Sequence, residues 1–246
     1  MIRDREGAAV TTSDVAVPRA WEVVLQSIEL DLLTGNLGPG DHLPPERTLA
    51  ATLGVGRSSV REAVRVLEVL GLIRTNVGSG PSAGAIIVAL PSGGMSALMR
   101  LQVAAQGFPV ADVMKTRLIL EGSVMTELAS RPADLGTPSR LLDAMDSSDL
   151  TQAEFLALDA AFHLSLAEAG GNQVVTATMA GLRSAIEGYA RAGAASLPSW
   201  AATSARLRLE HRAILAAIAG GEADAARLAM HSHISGYYAE THLPSH

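Results

Sequence analysis

The stretch from Pro44 to Gly71, PPERTLAATLGVGRSSVREAVRVLEVLG, decides how the first part of this chain folds. Leu49 and Leu53 lie four residues apart, which places them on one face of a short helix. Gly54 follows as a residue able to take the left-handed conformation that ends a helix. Pro45 is expected at the first helical position, where its missing N–H costs nothing. The segment therefore predicts a short helix followed by a tight turn.

A second helix is predicted from about Arg57. Val60, Val64 and Leu67 follow an i, i+4, i+7 spacing, so they form one buried stripe. The side chains that fall off this stripe and face outward are Ser58, Arg61 and Arg65. Two helices around a glycine turn, the second exposing serine and arginine, are typical of a DNA-binding helix-turn-helix.

Two short β-type runs follow the second helix, at Leu72–Thr75 and Gly84–Val88. Between them, residues 76–81 read NVGSGP, which predicts the glycine-rich tip of a hairpin. A hairpin placed after a helix-turn-helix indicates a winged helix-turn-helix domain. The alternative is a small helical bundle with an added hairpin, but helix spacing, turn glycine, arginine face and hairpin all favour the winged domain.

The string PPERTLAATLGVGRSSVREAVRVLEVLGLI resembles the DNA-binding domain of the GntR superfamily of bacterial transcription regulators. The resemblance implies DNA contacts at the positions that match the family motif, which are Arg47, Arg57, Ser58, Ser59 and Arg61, with Gly78 and Gly80 in the wing. The sequence departs from the family pattern at Pro45, where serine is usual and would cap the helix. It departs again in the wing, which carries Ser79 between its glycines and the extra residues 81–83.

Length and composition limit the classes of protein that this chain can belong to. With 246 residues it is long enough for two domains, and without cysteine it has neither disulfides nor thiolate metal sites. It shows no signal-peptide pattern and no apolar run of membrane length, so we expect a cytoplasmic protein. The net charge of −6 is unusual for a DNA-binding protein. Phosphate contacts are therefore expected from a local cluster of arginines.

The sequence pattern predicts a mostly α-helical protein of two domains. Residues 1–17 are expected to form a disordered tail and residues 18–90 the winged domain, followed by a linker over 91–94. Residues 95–246 lack strand signals and predict an antiparallel all-α bundle, because short loops join amphipathic helices. The helices of this bundle are expected near 95–106, 109–130, 137–146, 151–169, 172–193, 199–219 and 222–241.

Several histidines of the second domain are predicted to point into the bundle. Asp159 and His163 flank the apolar stripe of their helix, and His211 and His233 lie in the middle of theirs, whereas His231 is expected to face solvent. Buried imidazoles and carboxylates need partners. A divalent metal such as zinc, nickel, iron or manganese satisfies them. Helical periodicity alone leaves hydrogen-bonded core histidines as an equal alternative.

Three segments of the second domain, RLILEGSVMTELA, LDAAFHLSLAEAGGN and EHRAILAAIAGGEADAARLAMHSHI, resemble the FCD domain. This is the all-helical domain of the FadR-type GntR regulators, which binds an effector and forms dimers. Many FCD domains bind a metal through Asp-x-x-x-His and two later histidines. The resemblance therefore implies the ligands Asp159, His163, His211 and His233, with zinc as the first choice of ion.

Arg117 falls within an apolar stripe, where a charged residue is unexpected. One interpretation is an ion pair with Glu121, one turn further along the helix. The other is a clamp for the carboxylate of an effector, since guanidinium binds carboxylate through two parallel hydrogen bonds. The R-x-x-x-E pattern of FCD domains is consistent with the clamp. Arg183, at the edge of the stripe of its helix, is a second candidate for effector binding.

Together these features predict a transcription regulator, expected to be a repressor, whose affinity for DNA depends on a small carboxylate bound beside a divalent metal. The resemblance and the symmetry of operators imply a homodimer on pseudo-palindromic double-stranded DNA. One alternative is a metal-dependent enzyme, but the sequence has no nucleophile elbow, P-loop or Rossmann fingerprint, so we expect no enzymatic activity. The other alternative is a DNA-binding dimer whose buried histidines are purely structural.

Overall fold

A computed structural model describes the chain over residues 18–76, 84–90 and 92–241. Parts of the predictions made above lie outside these described residues: the tail 1–17, the wing positions Gly78 and Gly80, and Pro91 of the expected linker. The chain divides into two compact units, Met1–Ala89 and Leu90–His246. No helix in the described residues is both long enough and apolar enough to cross a membrane.

The first unit combines three helices with a two-stranded sheet. Its elements are α1 (Ala20–Leu33), α2 (Glu46–Leu53), α3 (Arg57–Val69), β1 (Ile73–Asn76) and β2 (Gly84–Ile87). The strands pair antiparallel, with Ile73 opposite Ile87 and Asn76 opposite Gly84. This hairpin follows α3 directly, as expected for a winged helix-turn-helix.

The turn between α2 and α3 follows the sequence pattern closely. Gly54 ends α2 in the left-handed conformation, with φ of +67°. Val60 and Leu67 of α3 are buried, and Val64 packs against the same core. The expected place of Pro45 was wrong by one position: it precedes the helix as its N-cap, and α2 begins at Glu46. No side chain caps α2, because proline has no hydroxyl to accept a backbone N–H.

The second unit is an antiparallel bundle of helices. They are α4 (Ser92–Ala104), α5 (Val110–Ala129), α6 (Gly136–Met145), α7 (Gln152–Gly170), α8 (Gln173–Ala195), α9 (Trp200–Ala219) and α10 (Ala223–Thr241). Each predicted helix is present, with its ends shifted by three residues or fewer. The largest correction concerns 92–94, which were expected in the linker and belong to α4.

α4 packs closely against α8 just beyond the two glycines near its start. A Cβ added at Gly181 of α8 would lie 3.2 Å from Met99 Cγ and 3.6 Å from the Met95 carbonyl oxygen. The two helices therefore approach closely at Gly181. This contact stabilises α4 from Met95 onward, whereas a Cβ added at Gly93 would meet no atom of the described residues within 4 Å, so the structure gives no packing reason for the early start.

The core of the second unit is centred on α7. Phe155, Phe162 and Leu166 of this helix are almost completely buried. At the start of α7, the Thr151 side chain accepts from the Glu154 N–H, and the Glu154 carboxylate accepts from the Thr151 N–H. This reciprocal cap fixes the first turn of the helix that presents Asp159 and His163 to the bundle interior.

Candidate metal centre and nucleic-acid interface

The exposed side of α3 carries most of the predicted DNA contacts. Arg57, Ser58 and Arg61 are exposed on α3, Ser59 is half-buried, and Arg47 is exposed on α2. The helix-turn-helix therefore presents three arginines on neighbouring helices. A recognition helix needs such an exposed row of polar side chains to reach phosphates and base edges.

These arginines differ in how they are held. Arg61 Nε donates to Glu46 Oε2 at 2.8 Å, which links α3 to α2. Within the described part of the chain, Arg47 and Arg57 make no hydrogen bond or ion pair. Their charges are therefore available to phosphate, whereas the Arg61 charge is partly compensated by Glu46.

The four residues predicted as metal ligands come together in the second unit. Asp159 and His163 lie one turn apart on α7, His211 lies on α9 and His233 on α10. One candidate ligand atom from each lies within 4.8 Å of all the others. The three histidines are at most 3% exposed, and Asp159 is half-buried. His231 is exposed, as its position on α10 predicted.

The distances among these atoms fit the coordination of one ion. His233 Nε2 lies 3.1 Å from His163 Nε2 and 3.2 Å from His211 Nε2. Asp159 Oδ1 lies 3.2 Å from His211 Nε2. A zinc ion bound at about 2.1 Å holds neighbouring ligand atoms about 3.0–3.4 Å apart at angles between octahedral and tetrahedral.

Two glutamates set the orientation of the imidazole rings. Glu121 Oε2 forms a hydrogen bond with His163 Nδ1, and Glu210 Oε2 lies 2.8 Å from His233 Nδ1. Because these bonds place the ring protons on Nδ1, the Nε2 lone pairs of both rings face one another. A cation between them satisfies both acceptors at once, which is the arrangement of ligating histidines in metal proteins; without a cation, a proton on His211 Nε2, 3.2 Å from His233 Nε2, can serve one of them.

The ionisation of these groups suits a divalent ion. Burial lowers the pKa of His163 to about 3, so its ring is neutral at physiological pH. Burial opposes ionisation of Glu121, but His163 and Arg117 beside it outweigh burial and lower its pKa. Burial likewise opposes ionisation of Asp159, yet His163, the hydrogen bond with His211 and Arg183 hold its pKa well below the usual value. Neutral imidazoles and ionised carboxylates are the forms that bind metal.

Sequence reasoning assigned neither glutamate to this centre. The sequence pattern suggests Glu121 only as a partner of Arg117, and helical periodicity places Glu210, the neighbour of His211, on another face of α9. Glu210 does leave the face of His211, but it reaches His233 on the adjacent helix α10. That contact depends on how α9 packs against α10, so helical periodicity within one helix cannot reveal it.

The two predicted effector arginines have different surroundings. Arg117 donates to Glu121 Oε1 from Nε at 3.0 Å and from Nη2 at 2.8 Å, and Nη1 donates to the Tyr238 hydroxyl. Arg183 Nη2 donates to Asp159 Oδ2 at 2.8 Å. Its Nε and Nη1 are buried without a hydrogen-bond partner in the structure. The ion pair predicted for Arg117 is thus present, whereas Arg183 retains unused donors.

A cavity of about 350 Å³ adjoins the cluster, within the size range of small-molecule sites. Both arginines line it, as do Asp159, His163 and His233. The cluster therefore lies at the wall of a space that can hold a small ligand. The donor set fits a divalent metal, and the Arg183 donors without a hydrogen-bond partner among the described residues fit an anion beside it.

Comparison with known families agrees with this architecture. Residues 21–81 match the model of the bacterial regulatory proteins of the gntR family, and residues 112–236 match the FCD domain. The chain belongs to the GntR family. The helix-turn-helix of this GntR-family protein lies in the first match, and all four residues of the candidate metal centre lie in the second.

Known relatives of this GntR-family chain are themselves regulators. It is 30% identical to the HTH-type transcriptional repressor NanR of Citrobacter rodentium over 96% of this chain and 90% of that protein. It is 33% identical to the Glc operon transcriptional activator of Escherichia coli K12 over 65% of each chain. Among solved structures, a GntR protein of Streptococcus agalactiae superposes with a TM-score of 0.63, at 25% identity over 88% of this chain and 97% of that one.

These matches establish the general function. The protein is a transcription regulator of the GntR family, with a helix-turn-helix domain and an FCD domain. The expectation that it is not an enzyme is confirmed, since the matched families and relatives are DNA-binding regulators.

Proposed function

We propose that this regulator binds a small carboxylate effector beside a divalent metal in its second unit, and that the effector controls operator binding by the first unit. The observation that carries the proposal is the convergence of three histidine Nε2 atoms and one carboxylate at the wall of a cavity. Zinc is the ion we expect first, with nickel, iron and manganese as alternatives that the same ligands accept.

The charges at the site support an anionic effector. The carboxylates of Asp159 and Glu121 are balanced by the guanidinium groups of Arg183 and Arg117. A divalent ion bound to the histidines then adds two positive charges in a largely buried place, of which the Glu210 carboxylate at His233, sharing Arg206 with Glu240, offsets at most one. A carboxylate reduces this cost by ligating the ion, since uncompensated buried charge is strongly unfavourable.

Arg183 is the side chain best suited to receive the effector. Among the described residues its Nε and Nη1 are buried and make no hydrogen bond, although Nη1 lies 3.9 Å from Glu121 Oε1, and Nη2 donates to Asp159. A guanidinium that retains two free donors can bind a carboxylate oxygen without losing an existing bond. Arg117 is the second candidate: it lines the same cavity, but Glu121 and Tyr238 occupy its guanidinium.

On the DNA side, the proposal places α3 in the major groove of a pseudo-palindromic operator, with one winged domain of a cytoplasmic homodimer on each half-site. Arg47, Arg57, Ser58, Ser59 and Arg61 contact DNA from α2 and α3. The wing glycines at 78 and 80 are proposed contacts as well. We propose a repressor, because a relative aligned over 96% of this chain is named a transcriptional repressor.

The experiment that tests the proposal measures operator affinity with and without metal and acid. A binding duplex is first enriched from a random pool with the full-length protein, and its affinity is then measured by fluorescence anisotropy. We expect one or more small carboxylates to change this affinity, and a strong chelator to abolish the change. Operator affinity that responds to neither acids nor chelator contradicts the proposal and leaves the histidines as structural residues.

A further inference from the structure

The cavity wall beyond the metal cluster carries information about the body of the ligand. We infer that the effector is a carboxylate with a largely apolar body, and that the cavity disfavours polyhydroxylated acids. This inference rests on the proposed function, because it takes the metal and Arg183 as the place where the acid head binds. The apolar wall adds a requirement on the polarity of the part of the ligand beyond the carboxylate.

The wall is apolar on four helices. Leucine, isoleucine and alanine side chains from α7, α8, α9 and α10 face the cavity: Leu156, Ala157, Ala160, Ala161, Leu164, Ala180, Ile186, Ala190, Leu207 and Ile234. None of these side chains can donate or accept a hydrogen bond. A ligand that covers them with carbon gains free energy by removing apolar surface from water.

The hydroxyl groups in the wall already have partners. The Tyr237 hydroxyl donates to the Ala190 carbonyl oxygen at 3.0 Å, and the Tyr238 hydroxyl accepts from Arg117. The Ser184 hydroxyl accepts from Arg100 Nη1 at 3.1 Å.

The charged pair in the wall is likewise engaged. Arg191 Nη2 donates to Glu187 Oε1 at 2.5 Å, and both residues are exposed, so this pair lies on the solvent side. Among the residues that line the cavity, Arg183 has two buried nitrogens, Nε and Nη1, that make no hydrogen bond in the described part of the chain. With these donors assigned to the acid head, the wall offers a further ligand hydroxyl the unused lone pairs of Tyr237 and the unused hydroxyl protons of Tyr238 and Ser184, which are few beside its apolar side chains.

This distribution discriminates between acids of equal length. A hydroxyl that enters an apolar site without a partner costs binding free energy, and a hydrophobic pocket rejects an added hydroxyl by up to about a hundredfold. The cavity meets solvent near the exposed Glu187 and Arg191, so part of a polyol chain could stay hydrated there. We therefore expect a preference of at least about tenfold for the apolar acid over its polyhydroxylated counterpart.

Calorimetric titration of zinc-loaded full-length protein with 2-hydroxyhexanoate and with gluconate tests the inference. Both acids have six carbons and the same 2-hydroxycarboxylate head, and they differ only in the hydroxyls of the body. Binding of 2-hydroxyhexanoate at least tenfold tighter supports the inference. Gluconate binding equally well or better contradicts the inference and leaves the proposed function intact. Failure of both acids to bind the zinc-loaded protein contradicts the inference, whereas failure of the protein to take up zinc contradicts the proposed function and the inference with it.

A pair of variants locates the preference in this wall. Leu156→Gln introduces an amide into the cavity lining, whereas Leu209→Gln makes the same change on α9 at a leucine that is 69% exposed. We expect the preference for 2-hydroxyhexanoate to shrink several-fold in Leu156→Gln and to remain in Leu209→Gln. An unchanged preference in a folded Leu156→Gln protein with wild-type zinc affinity contradicts the role assigned to the wall.

Discussion

Glu210 offers the sharpest test of the metal centre, because it touches the site through a single bond and remains partly exposed. Its carboxylate lies 2.8 Å from His233 Nδ1 and also pairs with Arg206. Glu210→Gln keeps the shape of the side chain and removes its charge. Arg206 retains Glu240 as a partner at 2.8 Å, so the substitution leaves no guanidinium without a carboxylate.

The expected loss follows from the role of Glu210 in orienting a ligating ring. Removing a carboxylate that holds a metal-bound histidine typically weakens metal affinity about 10- to 100-fold. The Glu210 side chain is 29% exposed, compared with 1% for Glu121, so water screens its charge and the lower end of that range applies. We expect about tenfold weaker zinc binding, which corresponds to about 1.4 kcal/mol. The metal-free protein should lose about 1 kcal/mol of stability or less, as is usual for partly exposed ion pairs.

Zinc affinity is measured by competition with a chromophoric chelator, and stability by thermal melting of the metal-free protein. Glu240→Gln is the matched control, since Glu240 holds the same Arg206 but contacts no histidine within residues 18–76, 84–90 and 92–241. We expect wild-type zinc affinity in this control. Zinc affinity that is unchanged in Glu210→Gln, or reduced equally in both variants, refutes the role given to Glu210.

Three further predictions address other parts of the molecule. Arg57→Ala should weaken operator binding about tenfold or more and reduce its salt dependence by about one phosphate contact. Arg61→Ala should cause a smaller loss, because Glu46 already partly compensates its charge. Wild-type operator affinity in both variants, measured by fluorescence anisotropy, would show that α3 does not contact DNA. His211→Ala should abolish zinc uptake and the response to acids, whereas His231→Ala should retain both. Identical zinc content in the two proteins would contradict the assignment of His211 as a metal ligand. Thr151→Ala should lower the free energy of unfolding by about 1 kcal/mol through loss of the α7 cap, and an unchanged melting temperature would show that this cap does not limit stability.

The sequence was sufficient for those features that depend on one helix at a time. The buried face of α3, the left-handed Gly54 and the inward direction of His211 and His233 all follow from the helical period. The start of α4 could not be predicted in this way. Its glycines favour a linker locally, and the packing of α4 against α8 at Gly181, through Met95 and Met99, is not encoded in the pattern of one helix.

The polar contacts of the site depend on packing between helices, which periodicity does not encode. Arg117 falls within the apolar stripe of its helix and Arg183 at the edge of its own, yet of the two it is Arg183 that keeps donors without a hydrogen bond among the described residues. The difference arises because Glu121 lies one turn from Arg117, whereas the partner of Arg183 comes from another helix. The contact between Glu210 and His233 likewise joins two helices. Helical periodicity can predict which side chains are buried, but their hydrogen-bond partners depend on how the helices pack together.

The candidate ligands come from three helices that are far apart along the chain, and this separation bears on the lifetime of the folded protein. His163 and His233 are 70 positions apart, so their approach closes a long loop, and contacts of this kind tend to form late in folding. An interaction that is absent from the transition state slows unfolding and has little effect on the folding rate. A bound ion should thus lower the unfolding rate. Chelation would shorten the half-life of the native state and reduce its resistance to proteases. The refolding rate after dilution from denaturant would stay nearly the same.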